Sequence, residues 1–307
     1  MFKENSIKLM GTVIRCGVAH PFGDTLLTEA FRRLTDYEKT FSANDDQSLL
    51  MTINQNAGIK AIQVPAELFE LIEMGKKESL TSGGLLNIAI GPLIKLWHIG
   101  FKDSQKPSDD KIKQVLPLID PEKIQLDKQQ QTVFLLVKGM EIDLGALAKG
   151  YFADKIMAYF KSEKATSGFI DLVGNVLTFG DSPKDSSGLW KIGIQNPALP
   201  RGNNALVLNL KNLSVVTSGI YERKIKADGQ VFHHIFDSKT GYPVENDLAS
   251  LTIISEKSLD GEIWTTKLFG KKAAEVIREL NNIPNIEAIV ITKDNQMAST
   301  TNALAQF

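Results

Sequence analysis

The order in which helices and strands follow one another is the feature that most restricts how this chain can fold. Apolar residues recur at helical spacing in four regions, which are residues 24–39, Pro65 to the break at Gly83-Gly84, 147–161, and 258–281 with a break near Gly270. Short runs typical of strands occupy residues 132–137, 169–179, 190–195, 205–210, 251–255 and 286–292. Because the two kinds of element do not alternate regularly, a doubly wound parallel sheet is excluded. We predict an α+β fold of mixed or antiparallel sheets with flanking helices, arranged as two lobes around a shared cleft.

Length and charge restrict the class of protein further. The 307 residues suffice for one domain with a sizeable core, and we predict a single domain over residues 1–307. The 35 basic and 36 acidic side chains are interleaved, so the sequence offers no basic patch for nucleic acid. No run approaches the ~18 apolar residues of a transmembrane helix. The single cysteine, Cys16, excludes an intrachain disulfide and a cysteine-based zinc cluster.

The first residues show no export segment. Residues 1–5 lack an apolar stretch, and the residues before Cys16 lack the small residue of a lipoprotein processing site. As it stands, the sequence predicts a cytoplasmic protein. The alternative is an extracytoplasmic lipoprotein whose signal segment is not part of this sequence.

Residues 142–151, Ile-Asp-Leu-Gly-Ala-Leu-Ala-Lys-Gly-Tyr, lead from an acidic strand end through a glycine-containing turn into a helix. Such a junction can hold a phosphate, because the amides at a helix N-terminus point at the anion and glycine admits close approach. Lys149 would add positive charge there. The alternative is an ordinary strand-turn-helix connection with a surface lysine.

Two further segments, residues 217–223 and 233–243, are rich in Gly, Thr, Asp and His. The chain has 4 histidines, and His233 and His234 are adjacent. Neighbouring side chains of a strand point to opposite faces, so at most one of the two histidines enters a given cleft. The alternative is one core histidine and one surface histidine. The pair lacks the ligand spacing of a zinc site.

Residues 259–266 form the fourth polar segment, Leu-Asp-Gly-Glu-Ile-Trp-Thr-Thr. If the segment is helical, Glu262 and Thr266 lie four residues apart on one face. A carboxylate and a hydroxyl in this arrangement can offer hard oxygen ligands to Mg²⁺. The alternative is a pair of side chains that simply face solvent.

These four segments, in this order, resemble the successive signatures of the ApbE family, the FAD:protein FMN transferases. The resemblance extends from Met10 to Asn302. Other stretches that resemble the family are Met10-Gly11-Thr12, Ser48 with Asn54, Ser82 to Asn87 followed by Gly91-Pro92-Leu93 and Trp97, and Phe169 to Asn175. The resemblance implies an ApbE-like fold whose shared cleft binds FAD.

The resemblance also implies an activity and a set of site residues. A member of the family splits FAD to AMP and, with Mg²⁺, esterifies the FMN half onto a Ser or Thr of an acceptor protein. The acceptor would be an electron-transfer or reductase protein. The metal ligands carried over are the Ala146 carbonyl, Glu262 and Thr266. The carried-over flavin and diphosphate contacts are Met10, Asn44, Leu85, Leu86, Asn87, Asp143, Lys149, Thr217, Ser218, Gly219, Tyr221, Phe236, Asp237 and Thr265.

Two side chains are predicted to act in catalysis. His234 would be the base for the incoming hydroxyl, because an imidazole with a pKa near ~6.5 accepts a proton at neutral pH. Lys149 would steady a phosphate oxygen.

Several positions depart from the family pattern. Glu262 stands where the family has Asp, although Asp260 is two residues away. The other departures are Asn87 for Asp, Val173 for Gly, Ser238 for Pro, Ile220 for Asp and Asn44 for an aromatic residue. Two alternative functions follow, an FAD pyrophosphatase that uses water as the nucleophile and a non-catalytic FAD-binding protein.

Overall fold

The computed structural model describes residues 1–81 and 84–303 of the chain. Ser82 and Gly83, which begin the stretch predicted to contact flavin, lie outside these residues. Antiparallel pairing joins eight strands into the main sheet, whose spatial order is β1 (Phe2–Leu9), β2 (Thr12–Ala19), β6 (Ser167–Asp171), β7 (Asn175–Phe179), β10 (Ser214–Gly219), β13 (Leu248–Ser255), β14 (Ile286–Thr292) and β15 (Met297–Ser299).

The remaining strands form three small antiparallel units. These are a sheet in the order β3 (Ile62–Gln63), β5 (Thr132–Leu135) and β4 (Ile124–Asp127), the hairpin β8 (Trp190–Gln195) with β9 (Asn204–Leu210), and the hairpin β11 (Lys224–Ala227) with β12 (Gln230–His233). The α-helices are α1 (Gly23–Phe41), α2 (Leu49–Gln55), α3 (Ala66–Leu80), α4 (Gly91–Trp97), α5 (Asp109–Val115), α6 (Ala148–Ser162), α7 (Ser258–Leu268) and α8 (Ala273–Leu280).

The two faces of the main sheet are covered differently. Apolar side chains of α1, α3 and α6 pack on one face of β2, β6 and β7 and form the largest core. On the other face, Phe169 of β6 stacks on Phe2 at 6.4 Å between ring centroids and meets Trp190 of β8 at 5.6 Å. Alternate residues of a strand therefore pack into two separate apolar layers, one on each face of the sheet, because successive side chains of a strand point to opposite faces.

The α+β prediction is confirmed, with antiparallel sheets and flanking helices. The predicted helix over 258–281 is α7 and α8, with the break near Gly270 where it was expected. The predicted strand over 169–179 is two strands, β6 and β7, joined by a tight turn. The division into two lobes and the single domain stay predictions. No helix among the described residues is long and apolar enough to span a membrane.

The turn between β6 and β7 holds a valine in an unfavourable conformation. Val173 has φ 58° and Gly174 has φ 81°. Asp171 stabilises the turn by accepting the Val173 N–H at 2.9 Å through Oδ1. Left-handed backbone is uncommon for a β-branched residue, because its branched Cβ crowds the adjacent carbonyl.

We expect Val173→Asn to raise the free energy of unfolding by about 1 kcal/mol, because asparagine tolerates the left-handed region. Urea unfolding followed by circular dichroism measures this change. Val207→Asn on β9 is the matched control, since Val207 is an exposed valine in ordinary strand conformation. A Val173→Asn protein no more stable than the wild type would contradict the presence of strain at this turn.

Candidate functional site

The N-terminus of α6 lies directly on α7, and Gly150 is the point of closest approach. A Cβ atom at Gly150 would lie 2.7 Å from the Ser258 carbonyl oxygen and 2.8 Å from Cγ of Glu262. Only glycine lets the two helices approach this closely. The close approach brings Lys149 to Glu262, with 3.6 Å between Nζ and Oε1.

Glu262 is a buried carboxylate with only one of its oxygens engaged. Its side chain is 5% exposed. Asn175 donates from Nδ2 to Oε1 at 3.0 Å, on the same oxygen that Lys149 approaches. The other oxygen, Oε2, has no hydrogen-bond or ion-pair partner among the described residues. Asp260 has a different environment: burial raises its pKa, and the charge of Lys257 opposes the increase. Glu262 is the carboxylate that Lys149 of α6 approaches, and its role as a metal ligand stays a prediction.

The three oxygens predicted to bind Mg²⁺ share one property within the described part of the chain: none takes part in a hydrogen bond. They are the Ala146 carbonyl oxygen, Glu262 Oε2 and Thr266 Oγ1. The neighbouring Thr265 differs, because its hydroxyl donates to the Glu262 carbonyl at 3.1 Å. Uncommitted carbonyl, carboxylate and hydroxyl oxygens suit a hard cation such as Mg²⁺, so these residues fit the metal that the resemblance implies.

This set would not be found by a search for acidic and histidine clusters. No group of three or more His, Cys, Asp or Glu side chains able to hold a metal exists over residues 1–81 and 84–303. A cation held by this protein would therefore rely on mixed ligands, with Glu262 as the carboxylate.

A buried asparagine, Asn54, holds the loop that leads into α6 in place. Asn54 of α2 bonds both polar groups of Ile142, with 3.0 Å from its Nδ2 to the carbonyl oxygen and 2.7 Å from the Ile142 nitrogen to its Oδ1. Asp143 then accepts the Gly145 N–H at 2.7 Å. Burial raises the pKa of Asp143, while the Gly145 N–H and the Arg223 charge oppose the increase. The acidic strand end is therefore held in one conformation beside Ala146.

The two adjacent histidines have different hydrogen-bond partners. His233 is buried and ties β12 to the following loop: its Nδ1 accepts the Ile235 N–H at 3.3 Å, so its Nε2 carries the proton donated to the Val244 carbonyl at 3.1 Å. His234 instead lies near Arg223 and Lys149, and its Nδ1 stands 3.3 Å from the Arg223 carbonyl oxygen.

The pKa of His234 is lower than the sequence interpretation assumed. Burial lowers it to about 4, and the positive charges of Arg223 and Lys149 add to the decrease. His234 is consequently neutral at physiological pH and able to accept a proton, but it is a weaker base than an exposed imidazole.

The Thr-Ser-Gly segment forms the end of β10, and its side chains alternate between the faces of the sheet. Thr217 faces Thr252 of β13, with 2.9 Å between the two hydroxyl oxygens. Val216 lies on the opposite face against Gly261 of α7. Ser218 shares the face of Val216, because side chains two residues apart on a strand point the same way. Of the two hydroxyls, the one of Ser218 is therefore on the side of α7.

Several residues that are predicted to contact flavin already form hydrogen bonds or packing contacts within the protein. Asn87 donates to the Ile119 carbonyl at 2.8 Å and accepts the Ala89 N–H at 2.9 Å. Asp237 accepts the Lys239 N–H at 2.8 Å within its turn. Leu86 and Phe236 are buried in apolar clusters. The Leu85 N–H donates a hydrogen bond to the Lys267 carbonyl. The Met10 N–H donates a hydrogen bond to the Glu38 carboxylate. Tyr221 packs under Gly219, and Asn44 is exposed. The contacts of these residues with flavin stay predictions.

Residues 10–290 match the sequence model of the ApbE family, which is more than half of the chain. The chain belongs to the ApbE family. An FAD:protein FMN transferase of Klebsiella pneumoniae (strain 342) is 38% identical over 302 residues, which cover 98% of this chain and 93% of that protein. Another, from Treponema pallidum (strain Nichols), is 34% identical over 288 residues and covers 89% and 79% of the two chains.

Solved ApbE structures have the same fold. The ApbE protein of Thermotoga maritima superposes with a TM-score of 0.88 at 26% identity and covers 98% of both chains. The apo flavinyl transferase ApbE of Pseudomonas stutzeri superposes with a TM-score of 0.83 at 22% identity, covering 98% of this chain and 95% of that chain.

Two residues of this ApbE site had no role in the sequence interpretation. Asn175 ends the stretch 169–175 that resembles a family strand, but spacing gave no reason to connect it with Glu262, 87 positions away. Arg223 ends the Thr-Ser-Gly segment and acts electrostatically on both Asp143 and His234. In the sequence, Asn175 and Arg223 are marked only by the segments to which they belong. The residues that they contact can be identified only from the three-dimensional structure.

Asp154 connects the two helices of this ApbE site and provides a pH-dependent test. Its Oδ1 and Oδ2 accept the N–H groups of Ser258 and Leu259, at 2.8 and 3.0 Å, at the start of α7. Burial raises the pKa of Asp154 to about 6, from the 3.8 of an exposed aspartate. The folded protein thus binds this proton more tightly, so its contribution to stability is complete below about pH 4 and is lost as pH rises through 6.

We expect the difference in unfolding free energy between the wild type and Asp154→Asn to decrease by roughly 2 kcal/mol from pH 4 to pH 6.5, after allowance for partial exposure. Urea unfolding of both proteins at intervals of half a pH unit measures this difference. A difference that stays constant with pH would show that Asp154 titrates normally.

Proposed function

We propose that this chain is a Mg²⁺-dependent FAD:protein FMN transferase that attaches FMN to a Ser or Thr of an acceptor protein. One observation carries the proposal: Glu262, at the α6–α7 contact where Lys149 adds positive charge, has an oxygen outside the hydrogen bonds of the described residues, as have the Ala146 carbonyl just before α6 and Thr266 one turn further along α7. The relatives from Klebsiella pneumoniae and Treponema pallidum, which bear this enzyme name, support the choice of substrate.

The reaction exchanges the phosphoanhydride bond of FAD for a phosphoester bond to the acceptor. The hydroxyl oxygen of the acceptor side chain forms a bond to the FMN-side phosphorus, while the bond from that phosphorus to the bridging oxygen breaks and AMP leaves with that oxygen. The hydroxyl proton passes to a base. Mg²⁺, when bound, neutralises charge on the diphosphate, and Ala146, Glu262 and Thr266 would hold it.

His234 is the proposed base, and its environment changes with the substrate. Part of its low pKa comes from the charges of Arg223 and Lys149. The two negative phosphates of FAD would offset these charges and favour the protonated imidazole, so the pKa of His234 rises in the complex. Lys149 in turn can contact a phosphate oxygen, because its side chain is more than a third exposed.

A mass-spectrometric assay tests the proposed function. The chain is incubated with FAD, Mg²⁺ and a candidate acceptor, an electron-transfer or reductase protein, and both the acceptor mass and released AMP are measured. Transfer adds one FMN to the acceptor for each AMP. Equal release of free FMN and AMP would identify an FAD pyrophosphatase instead. Bound FAD without AMP at saturating Mg²⁺ would identify a non-catalytic binding protein.

We expect His234→Ala to lower the rate of FMN transfer by about 100-fold or more, as loss of a general base does. FAD binding, followed by flavin fluorescence, should change little. His20→Ala is the matched control, because the His20 ring bonds only the local Phe22 N–H. Full transfer activity in His234→Ala would show that another group accepts the proton.

A further inference from the structure

We infer that Asn175 is a positioning residue that determines which oxygen of Glu262 is presented to the metal ion. The inference rests on the proposed function and adds to it a residue of β7 that contacts neither FAD nor the metal. Its basis is a chain of hydrogen bonds that runs from Asp154 through α7 to Asn175 and ends at the Glu262 carboxylate.

Asn175 has no exposed surface, and both ends of its amide are bonded. Its Nδ2 donates to Glu262 Oε1 at 3.0 Å. Its Oδ1 accepts a hydrogen bond of 2.6 Å from the hydroxyl of Ser258. Ser258 is also fully buried, and its own N–H is held by Asp154 at 2.8 Å. The two links through Asn175 thus lie in the interior, where a lost hydrogen bond is costly, and the link to Asp154 is partly buried.

The partners of the amide determine its orientation. A carboxylate oxygen only accepts hydrogen bonds, so the side of Asn175 that faces Glu262 has to be its NH₂ group. The Ser258 hydroxyl can then donate to the carbonyl side of the amide. The reversed amide would place its oxygen against Glu262 Oε1. Both atoms only accept hydrogen bonds, so no hydrogen bond could form between them. The network therefore selects one orientation without reference to the metal.

This orientation leaves one oxygen of Glu262 for a metal. Asn175 and Lys149 both approach Oε1, and Oε2 has no partner among the residues that the structure describes. Glutamate has one more rotatable bond than the aspartate that the family resemblance implies here, so its carboxylate loses more freedom when it binds an ion. A fixed amide at Oε1 reduces this loss before the ion arrives. Outer partners of metal ligands commonly act in this way.

Asn175→Asp tests the inference with almost no change of shape. It places a carboxylate against Glu262 Oε1, so the two negative groups repel each other or share a proton. We expect the dissociation constant of Mn²⁺, titrated by electron paramagnetic resonance into the protein alone and into the protein with FAD, to rise at least tenfold, within the ~10–100-fold range of outer-partner variants.

Ser258→Ala is a milder second variant, in case Asn175→Asp does not fold. It removes only the bond that fixes the amide, and we expect the Mn²⁺ dissociation constant to rise about threefold while turnover at saturating Mg²⁺ stays near that of the wild type. The matched control is Ser255→Ala. Ser255 is equally buried, but its hydroxyl bonds the Lys257 carbonyl and not Asn175, so Mn²⁺ affinity should be unchanged.

The outcomes separate this inference from the proposed function. If the folded Asn175→Asp and Ser258→Ala proteins bind Mn²⁺ within twofold of the wild type, Asn175 has no positioning role, although the metal site stands. If Ser255→Ala weakens Mn²⁺ binding as much as Ser258→Ala, the effect is general destabilisation and the inference is wrong. If the wild type binds no Mn²⁺ with or without FAD, both proposals fail.

Discussion

Glu262→Gln is expected to lower both FMN transfer and AMP release at least ~100-fold. Glutamine keeps the length of the side chain and an oxygen that can accept the N–H of Asn175. What it loses is the negative charge, and Glu262 supplies the sole carboxylate among the three oxygens proposed for the metal. A neutral set of ligands binds Mg²⁺ weakly, because a hard cation needs charged oxygen donors.

The measurement pairs activity with metal affinity. AMP release is followed at increasing Mg²⁺, and Mn²⁺ binding is titrated separately. Asp260→Asn is the matched control, since Asp260 is a partly buried carboxylate of the same helix, and the charge of Lys257 acts on its pKa. We expect this control to keep wild-type activity within threefold. The reverse result, with Asp260→Asn inactive and Glu262→Gln active, would transfer the metal role to Asp260.

Glu262→Asp is informative in a different way. It keeps the charge but withdraws the carboxylate by one methylene, so the bond of 3.0 Å to Asn175 is lost unless the helix moves. We expect an activity between those of the wild type and Glu262→Gln. The Mg²⁺ concentration for half-maximal rate should rise more than the maximal rate falls.

Gly150→Ala is expected to lower stability as well as activity, with a loss of about 1–3 kcal/mol in unfolding free energy and at least a tenfold loss of AMP release. The added methyl group would meet the Ser258 carbonyl oxygen at 2.7 Å and Cα of Leu259 at 2.8 Å, both of which belong to the backbone of α7. Backbone atoms cannot rotate away as a side chain does. Relief of the clash therefore requires α6 and α7 to separate.

Separation of these helices would also pull the metal oxygens apart, because Ala146 precedes α6 whereas Glu262 and Thr266 lie on α7. Chemical denaturation gives the change in stability, and Mn²⁺ titration of the folded variant shows whether the site is disturbed. A variant with reduced stability but wild-type Mn²⁺ affinity would show that the spacing of α6 and α7 does not control the metal site. Unchanged stability would show that the helix contact tolerates a methyl group.

Much of the fold could be predicted from the sequence, because it follows from local periodicity. The helical spacing at residues 24–39 and 147–161 corresponds to α1 and α6. The missed feature was the turn that divides 169–179 into β6 and β7. A valine inside an apolar run gives no sign of left-handed backbone, and Asp171 stabilises that backbone through a side-chain bond that composition does not show.

The candidate site was predictable as a set of segments but not as a set of contacts. His233 and His234 have different hydrogen-bond partners, but His234 lies just beyond the end of β12, so strand alternation does not account for the difference. The hydrogen bond from Asn175 to Glu262 joins residues 87 positions apart, and the pair of Asn54 with Ile142 joins residues 88 positions apart. No local rule relates such positions. The low pKa of His234 also depends on burial by distant parts of the chain.

The pairing of β2 with β6 affects how the chain folds during its synthesis on the ribosome. Ala19 of β2 pairs with Ser167 of β6. Because α1 to α6 lie between these two strands in the sequence, β2 can pair with β6 only after all six helices have been synthesised. Helix α7, which carries Glu262, follows later still. Such distant pairings make folding slow, because loops must close before their contacts contribute. A nascent chain would thus carry Lys149 long before Glu262, and FAD cleavage would begin only after α7 has been synthesised and the main sheet assembled.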